Sequence, residues 1–472
     1  MKKIYTLFFI LLIASSCNVL DQVSPNDVAS TNVFTSKAGA EAALVGLYSS
    51  MEGKYYYGGY YQMVADLNSD NGTDGGYQYT VLDEISAVNV TTSNTIIENV
   101  WLALYYTIAT SNAIINQIDA ISDPNFDAAE KNSIKGQAYA ARALAHFDAL
   151  RMFGEHWNTS SAFGIPVVTT IQKATDIVPR STVAQSYAAI IQDFKTALPL
   201  VDANDRSQVY FNPIAIQALL ARAYLYSGDK ANAIATATIV INDGTFDLLD
   251  QNTFTKIYAA PYQSKESIFE LTFSIQNQSG LNALTYLRES ALRSDVFFLA
   301  NAALNDFFTN RPGDLRANLV DFNPNDNDVS ITPDGRTQKY RGETTRDNPA
   351  FIVRIAEMYL VRAEAEGYSP EGLADLNSVR TNRGMTALTN TDITSQAEFI
   401  SALLDERRAE LNFEGHRMFD LARNGQFATQ VGAIKNSTDY TVSDFNAIFP
   451  IPKQERIATK KALTQNPGYP ED

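Results

Sequence analysis

The sequence predicts a mainly α protein: a scaffold of helical hairpins with long irregular loops and a few short strands. Three observations carry this. Small and apolar residues recur at helical spacing, as in Ile134, Ala138, Ala141, Ala145 and Met152, a stripe that lets two helices pack closely. The stretch 212–242 reads as helix, break, helix: Pro213 suits a first turn, and Ser227-Gly228-Asp229 ends one helix and starts the next. Within it Leu220, Ala221, Tyr224, Gly228 and Ala233 fall at the offsets of the tetratricopeptide pattern. An Arg-Ala phrase also recurs, at Arg142-Ala143, Arg222-Ala223 and Arg362-Ala363, as in degenerate copies of one hairpin.

The elements follow in order. A helix over 134–152 stops at Gly154. Residues 53–94, 250–300 and 310–350 are rich in Gly, Asn, Asp, Pro and Thr and read as long loops. Inside the second of these, Ser267 to Phe273 reads as a short strand. Residues 405–425 read as one charged helical stretch, with Arg407 and Glu410, Glu414 and Arg417, and Asp420 and Arg423 each spaced to pair. Glu410 and Glu414 could be taken for a catalytic pair. Carboxylates interleaved with arginines are held ionised, so a structural ion-pair network is the better reading.

Composition narrows the function classes. The chain has 472 residues, 37 Lys plus Arg against 53 Asp plus Glu, and a net charge of −16. Such a chain cannot lean on phosphate neutralisation, so general nucleic-acid binding is not expected. One cysteine, Cys17, permits neither a disulfide nor a thiolate zinc cage. The three histidines, His146, His156 and His416, lack HExxH spacing, and no GxSxG, GxGxxG or GxxxxGK[ST] motif is present. No catalytic residues, metal or cofactor are expected. Asp66, Asn68 and Asp70 alternate like the start of a calcium loop, but Asn71 stands where that loop needs Gly and Tyr77 where it needs Glu.

The N-terminus reads as an export signal. Lys2 and Lys3 precede an apolar run from Ile4 to Ile13, about 15 Å as a helix and too short to span a bilayer. Ala14-Ser15-Ser16 then leads into Cys17, which is similar to a bacterial lipobox. Residues 1–16 are the expected signal and Cys17 the expected lipidated N-terminus. Residues 17–472 are read as one packed unit, with an N-terminal part to about 300 and a C-terminal part from about 301.

These features assemble in a familiar order. After the lipobox come Asp21, Pro25 and Ala42-Ala43-Leu44-Val45-Gly46-Leu47-Tyr48, then Trp101, Tyr105 and Asn112, and Arg142-Ala143 leading to Phe153-Gly154. Later come Arg354-Ile355-Ala356-Glu357, Glu406-Arg407-Arg408-Ala409-Glu410-Leu411, Phe413-Glu414-Gly415-His416-Arg417, Phe449-Pro450-Ile451-Pro452 and Gln465-Asn466-Pro467-Gly468-Tyr469. Across nearly its whole length the chain resembles the SusD/RagB family of outer-membrane nutrient-binding lipoproteins. That resemblance implies four tetratricopeptide-like helix pairs with loops packed on one side. It also implies surface capture of glycans and delivery to a SusC-type TonB-dependent transporter, without catalysis or cofactor.

The ligand residues do not carry over and are read from chemistry. Flat aromatic rings stack on sugar faces, while Asp, Asn and Arg take up hydroxyls. By that criterion the ligand face is placed on Asp70, Asn71, Tyr77 and Tyr79, with Asn277, Tyr286 and Arg288 from a second loop. The cluster Tyr55 to Tyr61 and the 321–343 loop are the alternative locations. A glycoside hydrolase, with two carboxylates across a sugar, and a ligand-free helical adaptor are the rival functions.

Overall fold

The computed structural model describes residues 33–74, 80–173, 175–279, 298–322, 335–340 and 347–471. The chain is mainly helical. Its elements are α1 (Lys37–Met51), α2 (Tyr60–Leu67), β1 (Gly72–Thr73), α3 (Thr80–Ser86), α4 (Thr95–Gln117), α5 (Ala128–Phe153), α6 (Val183–Ala197), α7 (Pro213–Ser227) and α8 (Lys230–Asn242). There follow β2 (Ser267–Leu271), β3 (Leu299–Ala300), α9 (Ala302–Thr309), β4 (Val320–Asp321), β5 (Arg336–Thr337) and β6 (Ala350–Arg354). The C-terminal part adds α10 (Ile355–Glu366), α11 (Pro370–Asn382), α12 (Gln396–Leu411), α13 (Arg417–Arg423), α14 (Phe427–Lys435) and α15 (Lys453–Ala458).

Local chemistry sets the helix ends. Asp127 and Glu130 form a capping box on α5, and Thr182 and Gln185 another on α6, each satisfying two orphan donors of the first turn. Asn212 caps α7 with Pro213 just inside, and Ser369 caps α11 with Pro370 in the same place. From α4 to α8 each helix packs on the next, and the run continues through α10 and α11. The apolar core along this run extends from Ala40 to Leu463.

The Arg-Ala phrase has a physical meaning in this stack. Arg142 of α5 donates twice to Asp193 of α6, each at 2.7 Å. Arg222 of α7 grips Glu357 of α10 with two bonds of 2.6 Å. Arg362 of α10 does the same to Asp375 of α11, at 2.6 and 2.8 Å. Each phrase puts a guanidinium fork on a neighbouring helix while its alanine lets the helices approach.

Two expectations need correction. Residues 53–94 are not one long loop, for they hold α2, β1 and α3, and every side chain of α2 is buried. The charged stretch 405–425 is not one helix either: α12 ends at Leu411, Phe413 takes a left-handed conformation (φ 61°), and α13 starts at Arg417. Of the three anticipated pairs only Asp420–Arg423 forms, at 2.9 Å. Glu410 instead meets Arg316, Arg354 and Arg383, and Glu414 meets Lys339 and Arg354. Burial pushes the Glu410 carboxyl up, but Arg383, Arg354 and Arg316 overcome it and hold the group well below its ordinary range. That leaves it a structural anion.

The strand-like run near 267 is β2, buried at every position and antiparallel to β6.

Candidate ligand-binding site

The Asp- and Asn-rich stretch after α2 points inward. Asp70 is 1% exposed and Asn71 0%. The Asp70 carboxylate accepts two hydrogen bonds of 2.7 Å from Arg417 and lies 3.4 Å from Arg408. Burial by itself raises its pKa, but Arg417 and Arg408 bring it down to about 2. Asn71 accepts from Arg408 Nε at 2.8 Å and donates to Asp66 at 3.1 Å. Asp66 also accepts from the Gly415 amide at 2.9 Å, and burial pushes its carboxyl up to about 6. The expectation that Asp70 and Asn71 present polar groups to a ligand is therefore corrected. They clamp this segment onto α12 and α13, since a buried carboxylate needs a cationic partner far more than a solvated one does.

A second tie holds the same segment. Lys435 Nζ donates to the carbonyls of Leu67, at 2.6 Å, and Gly72, at 3.1 Å. Burial lowers its pKa to about 7, against the opposing pull of Asp70 and Asp74.

Directly after this clamp lies a rim of short strands. Gly72 and Thr73 of β1 pair with Ala300 and Leu299 of β3. The Ala300 amide donates to the Gly335 carbonyl at 2.8 Å, and the Gly335 amide to the Asp321 carbonyl at 2.6 Å. Val320 and Asp321 of β4 pair with Thr337 and Arg336 of β5. Two glycines are required here by sterics. A Cβ on Gly72 would lie 1.9 Å from the Phe298 ring, and Gly335 has φ +93° with a Cβ position 2.3 Å from the Ala300 carbonyl oxygen. The rim thus stitches together the points where residues 75–79, 280–297 and 323–334 join the described chain.

The remaining site residues fall in two places. Tyr77, Tyr79, Tyr286, Arg288 and Cys17 lie outside the described residues. Asn277 is described, and its amide donates to Glu52 at 2.7 Å on the wall of a groove that Asp70 and Asn71 do not line. The structure therefore does not bring Asn277 together with Asp70 and Asn71 around one ligand.

In the alternative tyrosine cluster Tyr55 is half-buried and stacks on Tyr60, while Tyr56, Tyr57, Tyr60 and Tyr61 are internal. The phenols of Tyr56, Tyr57 and Tyr61 all donate to Asp148, at 2.7, 2.7 and 2.6 Å. Arg151 bonds both Tyr61 and Asp148 at 2.5 Å. All three rings are buried, which leaves no face for a sugar. Sequence reasoning missed Asp148, Arg151, Arg408 and Lys435 as partners. The available signal was charge within otherwise apolar helix text, as in His146-Phe147-Asp148-Ala149-Leu150-Arg151.

Comparison with known proteins gives a consistent result. Residues 328–469 match the SusD family, and residues 18–225 match the family described as "Starch-binding associating with outer membrane". SusD-like protein P2 of Formosa agariphila is 24% identical across 99% of this chain and 100% of its own length. A SusD superfamily protein of Bacteroides thetaiotaomicron superposes with a TM-score of 0.77 at 26% identity, covering 91% of this chain and 99% of that one. A laminarin-binding SusD-like protein gives a TM-score of 0.74 at 22% identity, covering 92% of this chain and all (100%) of that one. The helical-hairpin stack, the order of motifs along the chain and these matches agree: the chain belongs to the SusD/RagB family.

Proposed function

We propose that this protein is a cell-surface lipoprotein of the outer membrane that captures oligosaccharides and passes them to a SusC-type TonB-dependent transporter. The observation that carries this reading is the stitched rim on the platform held by Asp70 and Arg417, from which the described chain leads into three polar segments, two of them bearing aromatic residues. Those segments include Tyr77, Tyr79, Tyr286 and Arg288, the residue types that stack on and hydrogen-bond to sugars. Membership of a family described as starch-binding and outer-membrane-associated supports both the ligand class and the location. The laminarin-binding relative makes laminarin a second polysaccharide to try beside starch. Cys17 is the anchor in this reading, and residues 17–472 act as one unit. The role is binding, not catalysis.

Calorimetry with starch and laminarin oligosaccharides is the test, run alongside an assay for new reducing ends. Saturable binding without new reducing ends is the expected result. New reducing ends would establish the hydrolase reading. No binding on a broad glycan array, with the transporter still co-purifying, would establish the adaptor reading.

A further inference from the structure

A groove of about 630 Å³ runs between α1 and α5, and the residues of the rim strands do not line it. The volume lies within the range of small-molecule sites. The two helices run in the same direction: Lys37 pairs with Glu130 near their starts, and the Tyr48 phenol donates to Gln137 at 2.7 Å further along. One end of the groove holds Glu41 and Glu130, and the other holds Glu52 with its donor Asn277. Between them the walls are Leu44, Val45, Ile134 and Phe126, with Tyr48 and Tyr210 packed edge to face at 5.2 Å. Val45 is 66% exposed and Tyr210 48%, so this apolar strip faces solvent.

The charge pattern is one-sided. Among the described residues three carboxylates line the groove, and no Lys, Arg or His does. Lys37 bonds Glu130 and also feels the charge of Glu41, whereas among the described residues no cation pairs with Glu52. Burial raises the pKa of Glu52 while its bond from Asn277 lowers it, as befits a carboxylate partly stripped of water. From Glu41 to Glu52 the helix advances about 16 Å. Anionic ends and an apolar, aromatic middle complement one kind of molecule: a chain of methylenes with a positive charge at each end.

We propose that this groove binds a linear organic dication, an α,ω-diamine or polyamine. Its terminal ammonium groups pair with Glu41 and Glu52, and its chain lies along Val45, Tyr48 and Tyr210. The site is distinct from the rim: Asp70 and Asn71 do not line it, and of the expected glycan residues that are described only Asn277 does.

The test is calorimetry on the detergent-solubilised full chain at physiological salt, with spermine as the long probe and putrescine as one too short to reach both ends. Saturable spermine binding at one per chain is expected, about tenfold or more tighter than putrescine. Glu41→Gln and Glu52→Gln should each weaken spermine about tenfold, the value of about 1.4 kcal/mol for one charge-assisted contact. Glu371→Gln, at an exposed position on α11, should change nothing. Val45→Lys puts a cation into the groove at a position exposed enough to leave the fold intact, and should abolish binding. Equal affinity for both amines, equal loss in Glu371→Gln, spermine binding undiminished by Val45→Lys, or no binding at all would overturn the proposal. Polysaccharide binding should be the same in every variant, so failure here is distinguishable from failure of the glycan reading.

Discussion

Asp70 and Arg417 are 347 positions apart, yet two hydrogen bonds of 2.7 Å join them in the interior. This pair, with Arg408 and Asn71, fastens the segment leading into the rim onto the C-terminal helices.

Asp70→Asn keeps the shape and removes the charge, leaving two buried guanidinium groups without their carboxylate. The expected cost is about 3–5 kcal/mol of stability, read by denaturant unfolding. Acid should expose the same pair. The Asp70 carboxyl lies at about 2 in the folded chain against an ordinary 3.8, so its contribution is complete above pH 3.8 and is lost as pH falls through about 2. A wild type and an Asp70→Asn variant losing stability in parallel over that window would contradict this assignment.

Lys435 gives the opposite pH dependence. Its folded pKa of about 7 lies below the ordinary 10.5, so between those values the unfolded chain binds the extra proton and stability rises with pH. In Lys435→Met that rise should flatten. Melting temperatures taken from pH 7 to 9 on both proteins decide it, and identical slopes would remove Lys435 as the cause.

Tyr61→Phe deletes one of three phenols on Asp148 and a partner of Arg151. A buried polar group losing its partner costs about 1–3 kcal/mol. Stability should fall by that amount while glycan affinity stays the same. Weakened binding with unchanged stability would move the tyrosine cluster into the ligand site.

Tyr77→Ala and Tyr79→Ala carry the complementary expectation. Each should lose about 1–2 kcal/mol of oligosaccharide affinity through the missing stacking face, with the melting temperature unchanged. Calorimetry showing no loss in either variant would place the sugar on other residues of the rim.

Cys17→Ala should move the protein from the outer-membrane fraction to the soluble fraction. Acyl chains supply membrane affinity by buried methylenes, and no described helix is long and apolar enough to cross a membrane. A Cys17→Ala variant that still pellets with the membrane would mean another anchor.

The fold class, the hairpin repeat and the family order were all legible in the sequence. They are written in short windows, where helical spacing, a cap residue or a Gly-Asp break acts on its own neighbours. The Arg-Ala phrase is the intermediate case. Its recurrence was visible, but that each arginine grips an acid on an adjacent helix emerged only from packing. The direction of the Asp66 to Asn71 segment was decided by tertiary structure alone. By local chemistry it is a polar turn bound for solvent. It is buried because Arg408, Arg417 and Lys435, more than 330 residues further along the chain, bring the charges and donors that make burial of its carboxylates and carbonyls affordable. Local pattern determines which element forms, whereas the facing of a polar side chain depends on a partner that only the folded chain supplies.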